Sequence, residues 1–271
     1  MIRGLLAKTI REVWLTTLLL GAALSLVMAL LTYILPQVQE SFNDIFSQMP
    51  FVKTLITALL GTDIGDQMTA QTMQAFLWVH PVVLAIVWSY EIAFCTRVPA
   101  GEIDRGTIDV LLGLPVSRRT MYGCESTACL IGGGMILCMG LMGHRFMAHA
   151  MPAEFRLALP RVILVMVNLF CVYAAVGGTA YLVSACSDRR GRAMAIVLGI
   201  VLASFLLNFV AQFWNPARHM AFLSVMNYYR PAQIVRTGQL PTSDLAVLLV
   251  TAAVTWQLGS EVVARRSICT V

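Results

Sequence analysis

Charge is scarce in this sequence of 271 residues. Only 12% of the residues are charged and 58% are hydrophobic, whereas an average soluble domain is about 25% charged. The mean hydropathy is +0.77. This composition indicates a membrane protein in contact with lipid. The net charge of +5 does not by itself indicate a nucleic-acid partner, because the placement of charges matters more than their sum.

Lysine is almost absent, and so are the motifs of common catalytic sites. The two lysines are Lys8 and Lys53, and neither follows a glycine. The chain therefore lacks the G-x-x-x-x-G-K-[ST] loop that cradles ATP phosphates. It also lacks H-E-x-x-H, and no Ser or Cys is placed near a His in a way that indicates a nucleophile. We therefore expect no catalytic residues and no cofactor on this chain.

The seven cysteines show no paired spacing, and their number is odd. Six of them lie in or at the edges of long apolar runs, where a thiol behaves as a small hydrophobic group. The seventh, Cys269, lies in the C-terminal tail. We expect buried thiols rather than a disulfide framework.

Six apolar runs are long enough to cross a membrane, which takes roughly 20 residues. The first is longer than the apolar core of a signal peptide, and no clear cleavage site follows it, so we expect it to stay in place. The sequence predicts an all-α polytopic membrane protein with one transmembrane domain over residues 1–271. The predicted spans are 13–35, 73–96, 121–143, 161–186, 193–214 and 245–263.

The connections between spans differ in their content of basic residues. One set, which includes both termini, contains twelve arginines and lysines, and the other set contains seven. The richer set predicts the cytoplasmic side, so both termini are expected there. The N-terminal MIRGLLAKTIREVW is amphipathic and predicts a helix lying on the cytoplasmic interface. FVKTLITALL predicts a second interfacial helix, which Gly61 and Gly65 would end.

Two carboxyl groups, Glu91 and Glu125, fall inside predicted spans near their cytoplasmic ends. A charge within a span is costly and is often functional. Near the end of a span it can instead reach the interface or pair with arginines of a loop. The second interpretation is favoured for both residues.

A charged stretch, GEIDRGTIDVLLGLPVSRR, separates the second and third spans over residues 101–119. The spacing of Glu102, Asp104, Arg105 and Asp109 predicts one short helix with an apolar opposite side. Gly113 and Pro115 would end that helix, and Ser117 can cap the next one. From the residues alone, an ordinary polar loop anchored by arginines is an equal alternative.

This stretch resembles the signature of ABC-2 type permeases, in which an acidic residue and R-G-T precede L-L and then P-V-S-R. The six spans, the amphipathic N-terminus, the outer N-Y-Y-R-P at 227–231 and the arginines after the last span agree with that family in layout. The matching residues are Glu102, Arg105, Gly106, Thr107, Leu111, Leu112, Pro115, Val116, Ser117 and Arg118.

The resemblance implies the permease subunit of an ABC transporter, most often an exporter, in the plasma (inner) membrane. It implies a second permease subunit, as in a homodimer, and a separate ATPase subunit that binds ATP and magnesium. The loop between spans two and three would carry the coupling helix that contacts the ATPase. The residues expected at that contact are Glu102, Asp104, Arg105, Gly106, Thr107, Asp109, Pro115, Ser117, Arg118 and Arg119.

A methionine- and histidine-rich segment, MGHRFMAHAM, supports an alternative. Thioether and imidazole groups are suitable ligands for copper(I), and some ABC-2 permeases resemble one that serves copper-site maturation in nitrous oxide reductase. The alternative function is thus a membrane component of such a maturation system. Packing and a wet interface explain the same residues without a metal. The candidate ligands are Met142, His144, Met147, His149 and Met151.

Overall fold

The structure is a computed structural model that describes residues 2–39, 44, 48–60, 69–113 and 115–267. Its described part is helical, with no strand among those residues. Six helical segments are long and apolar enough to cross a membrane, which confirms the all-α polytopic prediction. The helices are α1 (Ile2–Gln37), α2 (Pro50–Leu60), α3 (Ala70–Val79), α4 (Pro81–Cys95), α5 (Glu102–Asp104), α6 (Ile108–Leu112), α7 (Arg118–Ala148), α8 (Leu159–Cys186), α9 (Arg190–Val210), α10 (Asn215–Met220), α11 (Pro231–Thr237) and α12 (Thr242–Arg265).

The first span differs from its prediction at its start. The amphipathic N-terminal segment is helical, but it continues into the span as the single helix α1 instead of forming a separate interfacial helix. Nothing in its sequence stops the helix, because no Pro stands between Ile2 and the apolar run, and the one glycine there, Gly4, lies in the first turn. FVKTLITALL is helical as predicted, in α2, whereas Gly61 and Gly65 lie outside the described residues.

The second span is interrupted, whereas the sequence predicted one continuous span over residues 73–96. It consists of α3 and α4, which meet at His80 with a non-helical backbone. Pro81 follows at the first position of α4, where its missing N–H costs nothing, whereas in a continuous helix its ring would clash with the preceding turn. The fifth span ends at Val210, short of the predicted 214.

The bundle is built on two close helix pairs, with α1 against α7 and α8 against α12. Glycines make both pairs close. A Cβ on Gly143 would stand 2.0 Å from the backbone oxygen of Ser25, and one on Gly178 would stand 2.7 Å from the oxygen of Ala252. Small residues at such contacts allow helix backbones to approach within a membrane. Helix α4 lies among α1, α7 and α8.

The connection between α9 and α12 folds back onto the bundle. Tyr229 is 1% exposed, and its hydroxyl donates to the carbonyl of Trp78 at 3.1 Å. Asn168 within α8 receives the N–H of Arg230 at 3.0 Å and donates to the carbonyl of Tyr228. Tyr229 therefore packs into the core of the bundle.

Replacing Gly143 by Ala should separate α1 from α7, because the new methyl group meets a backbone oxygen that cannot move aside. We expect the free energy of unfolding to fall by about 1–3 kcal/mol. Gly134→Ala is the matched control on the same helix, since its Cβ would have its nearest neighbour at 3.8 Å. Thermal unfolding in detergent is monitored through the reaction of buried cysteines with a thiol dye. This gives the unfolding midpoint of each variant. Equal midpoints for the two variants would contradict the close contact.

Candidate functional site

The charged stretch between the second and third spans forms two short helices instead of the one predicted. Helix α5 ends at Asp104, and α6 begins at Ile108. Gly106 lies between them with φ of 70°, a left-handed conformation that favours glycine and breaks a helix. Glu102 holds the turn from both sides, because its carboxylate pairs with Arg105 and accepts from the hydroxyl of Thr107 at 2.5 Å.

One side of this stretch is anchored in the bundle. Ile108 is completely buried, and Leu111 packs on a small apolar cluster formed by Leu5, Val98, Met121 and Cys124. That cluster joins the start of α1 to the start of α7. Val110, which the pattern placed with the apolar side, is 75% exposed instead.

A largely buried arginine, Arg97, holds the segment that leads into the charged stretch, which we call its root. Arg97 donates to Glu12 of α1 at 2.5 Å and to Glu125 of α7 at 2.6 Å. The other oxygen of Glu125 accepts from Thr9 at 2.8 Å. The Glu125 and Arg97 side chains are only 8% and 15% exposed, whereas that of Glu12 is 44% exposed. This network joins three segments far apart in sequence.

The charge state of Arg97 is secure. Burial by itself lowers the pKa of Arg97. The Glu125 carboxylate and, after it, Glu12 raise this pKa by more than burial lowers it, so the net shift is upward. A base with a raised pKa contributes stability that is fully present below its unfolded pKa and is lost only as pH rises through the folded value. For a guanidinium this window lies above every working pH, so Arg97 stays charged throughout.

Asp104 connects the stretch to the fifth span. Its carboxylate accepts from the backbone N–H of Arg190, the first residue of α9, at 3.2 Å. The Arg190 guanidinium in turn donates to the carbonyl of Ala93 at 2.9 Å. Asp104 was predicted to contact a partner, and in this chain it already stabilises the start of α9.

The end of the stretch is attached to the sixth span. Arg118 donates to the carbonyl of Arg266 at 2.6 Å, and Arg119 pairs with Glu261 at 2.7 Å. Arg266 also pairs with Asp188 of the other loop on this side. Ser117 caps α7 as predicted, because its hydroxyl accepts from the N–H of Thr120 at 3.1 Å. All the connections on this side of the bundle are therefore tied together.

An exposed surface remains beyond these attachments. We call the segment Arg105–Gly113 the cassette tip. It carries Arg105, Asp109 and Val110 on its exposed side. Pro115, Ser117 and Arg119 continue the exposed surface toward α7, while Leu114 lies outside the described residues. The cassette tip is therefore a mixed-charge, exposed surface with one exposed Val, attached to the bundle at its base.

The candidate metal ligands point to different environments. Met142 is 69% exposed, while His144 is 1% exposed and its Nδ1 lies 2.9 Å from the hydroxyl of Thr32. His149 is exposed and Met151 is buried. His144 also packs edge-on against Trp78. The structure thus gives His144 a packing role, and copper binding by the segment stays a prediction.

The two glutamates within spans, Glu125 and Glu91, lie in different environments. Glu125 pairs with Arg97, as the favoured interpretation predicted. For Glu91 that interpretation is wrong, because it is fully buried and neither oxygen has a hydrogen-bond partner among the described residues. Sequence reasoning also missed Arg97 and Glu12 as a pair. The position of Arg97 directly after a span, facing the carboxyl of Glu125 early in the next, was the available signal.

A family model described as ABC-2 family transporter protein matches residues 6–263. The match covers almost the whole chain. The chain belongs to the ABC-2 transporter family. A search of curated proteins found no relative that matches it. The ABC-2 assignment makes this chain a transport membrane subunit of an ABC system rather than a catalytic enzyme, and it gives the copper-maturation alternative no support.

The Arg97 network of this ABC-2 protein allows a direct comparison of its two acidic partners. Glu125→Gln leaves a buried guanidinium short of its main partner and should lower the free energy of unfolding by about 3 kcal/mol. Glu12→Gln removes an exposed partner and should cost at most about 1 kcal/mol. Thermal midpoints in detergent measure both. The interpretation fails if the two variants unfold at the same temperature.

Proposed function

We propose that this ABC-2 chain is the permease subunit of an exporter, and that ATP hydrolysis on a separate ATPase subunit drives it. The ATPase would dock on the cassette tip and bind ATP and magnesium. The observation that supports this most directly is the combination of an exposed tip with a firmly held root. A force on the tip reaches α1 and α7 through Arg97, and α9 through Asp104.

The structure divides the predicted contact residues into two groups. One group forms hydrogen bonds or ion pairs within this chain and consists of Asp104, Arg118 and Glu102. Arg105, Asp109 and Arg119 are exposed, although Arg105 and Arg119 also form ion pairs. Exposed ion pairs are worth little in water, so they can exchange partners readily. The contact with an ATPase is therefore best tested at the tip, where Val110 is exposed without an internal role.

The variant Val110→Glu should weaken ATPase docking without unfolding the chain. A carboxylate buried in a docked interface lacks a partner and weakens binding at least about tenfold, while on the free chain it stays in solvent. Tagged chain is solubilised in mild detergent, and the co-purifying ATPase subunit is quantified by mass spectrometry together with ATP turnover. The wild type should retain the subunit, and the variant should retain much less of it.

The matched control is Gln239→Glu, which adds the same charge at an exposed position at the opposite end of the bundle. It should keep both the ATPase subunit and the turnover. Retention of the ATPase by Val110→Glu, at wild-type turnover, would rule out docking on the tip. The absence of any nucleotide-binding subunit from the wild-type preparation would count against the proposed function as a whole.

A second copy of the chain completes the proposed transporter. Helices α1, α9 and α12 are only 28%, 22% and 22% buried within their most apolar windows, so large apolar faces remain for lipid and for another subunit. Native mass spectrometry of the purified complex should give two permease chains with two ATPase chains. A complex with a single copy of this chain would exclude the homodimer.

A further inference from the structure

A cavity of about 360 Å³ lies between α7, α8 and α12. Leu130 of α7 and Leu249 of α12 line it and are 41% and 51% exposed. Thr127 and Ala253 also line it and are exposed. The cavity therefore opens sideways on the outer surface of the bundle, which faces lipid in a membrane. Its volume lies within the range of small-molecule sites.

The wall of the cavity is mostly apolar, and its polar groups do not face an empty space. The hydroxyl of Ser126 accepts from the indole N–H of Trp256 at 2.8 Å, and that of Tyr173 donates to the carbonyl of Cys129 at 2.9 Å. The hydroxyl of Tyr181 is buried within the wall. Such a cavity suits a hydrocarbon chain better than a polar ligand.

A groove leads from the cavity opening along α7 and α12 toward the cassette side of the bundle. On α7 it is lined by residues three or four apart, which share one face of a helix. They are Arg119, Gly123, Thr127 and Leu130. The residues of the α12 row are four apart. They are Leu249, Ala253, Gln257 and Glu261. We call these two rows together the α7–α12 groove.

Contacts at both ends show that the two rows face each other. At the cassette end Arg119 pairs with Glu261 at 2.7 Å, and at the other end Thr127 and Ala253 line the same cavity. Between them Gly123 leaves the groove open. A Cβ at Gly123 would have no heavy atom of a neighbouring helix within 4 Å among the described residues.

The cassette end of the groove carries an excess of positive charge. Glu261 pairs with Arg119 at 2.7 Å and also with Arg265 at 3.2 Å, so two guanidinium groups share one carboxylate. The Arg119 and Arg265 side chains are 58% and 82% exposed. A guanidinium has five donors, so both arginines can bind a phosphate group while Glu261 stays paired.

The charged end and the cavity are separated by a distance that an acyl chain can span. Thr127 lies eight residues beyond Arg119, which is about 12 Å along α7. One leaflet of the hydrocarbon core is about 15 Å thick, half of the full thickness. A lipid whose phosphate lies at Arg119 therefore brings its chain to the cavity opening within its own leaflet.

We propose that the α7–α12 groove binds one anionic glycerophospholipid from the leaflet on the cassette side. Its phosphate pairs with Arg119 and Arg265, in the geometry that guanidinium groups favour for phosphate. One acyl chain passes Gly123 and enters the cavity beside Leu130, while the other stays in the bilayer. The lipid thus fills the space between α7 and α12.

The test measures lipid binding by the purified chain alone, in detergent and without ATP, so its outcome is independent of ATPase docking. Dioleoyl phosphatidylglycerol is titrated, and native mass spectrometry measures the fraction of chains that carry one lipid. Dioleoyl phosphatidylcholine has the same chains on a zwitterionic headgroup. One basic residue at a membrane surface strengthens the binding of an anionic lipid about fivefold. We therefore expect phosphatidylglycerol to bind at least about fivefold more tightly.

The headgroup contact is tested by Arg119→Gln, which leaves Glu261 paired with Arg265. It should weaken phosphatidylglycerol binding about fivefold and leave phosphatidylcholine binding nearly unchanged. Arg192→Gln is the matched control, because Arg192 is an exposed arginine of α9 outside the groove. It should bind phosphatidylglycerol as the wild type does.

The path of the acyl chain is tested by Gly123→Leu, which fills the groove between the charged end and the cavity. Leucine favours a helix more than glycine does, so this variant should fold at least as well as the wild type while binding both lipids more weakly. Gly199→Leu is the matched control. A Cβ at Gly199 is equally free of neighbours, and Gly199 is exposed on α9.

The outcomes separate a specific site from the general shell of lipid around the bundle. Equal binding of the two lipids, or equal loss in Arg119→Gln and Arg192→Gln, would overturn the headgroup contact and with it the proposal. Wild-type lipid binding by Gly123→Leu would overturn it as well. If that variant instead kept its lipid but dissociated a dimer, the groove would be a contact with a second copy of the chain.

Discussion

The pairing of the Arg97 guanidinium with two carboxylates is the interaction on which one end of the bundle depends, the end proposed to face the cytoplasm. The guanidinium lies between Glu12 and Glu125, at 2.5 and 2.6 Å, and so fixes α1, the root of the charged stretch and α7 relative to one another. Removing one member of such a buried pair leaves an uncompensated charge, which costs far more than the pair itself gains. The network therefore acts as a constraint: the three segments keep one arrangement or lose it together.

Close contacts at glycines play the corresponding role within the bundle. Gly143 brings α7 onto the backbone of α1, and Gly178 brings α8 onto α12. In a bilayer the hydrophobic effect does not drive helices together, so such close packing supplies much of the free energy of helix association. Each pair thus behaves as one unit. The cavity of about 360 Å³ lies where the two units meet, between α7 on one side and α8 with α12 on the other.

Much of this organisation could be predicted from the sequence, because the bilayer sets strict rules for length and polarity. Six spans follow from apolar runs, and the Ser117 cap follows from local chemistry. The break at Gly106 was missed, because helical spacing was extended across a glycine whose φ of 70° depends on the ties of Glu102. The state of Glu91 was also beyond sequence reasoning. A carboxyl near the end of a span pairs with an arginine only when the fold brings one within reach, and Arg97 is used by Glu125.

The attachments of the charged stretch also bear on the cavity. Arg118 and Arg119, at the start of α7, hold the end of α12 through the carbonyl of Arg266 and the carboxylate of Glu261. These are side-chain contacts at a partly exposed surface and are individually weak, whereas α8 and α12 meet through backbone contacts at Gly178. On the proposed function, a force on the cassette tip would therefore shift α7 against α8 and α12 before it separated those two helices. That displacement would change the width of the cavity between α7 and the α8–α12 pair, so docking at the tip would be coupled to the shape of the bundle through α7.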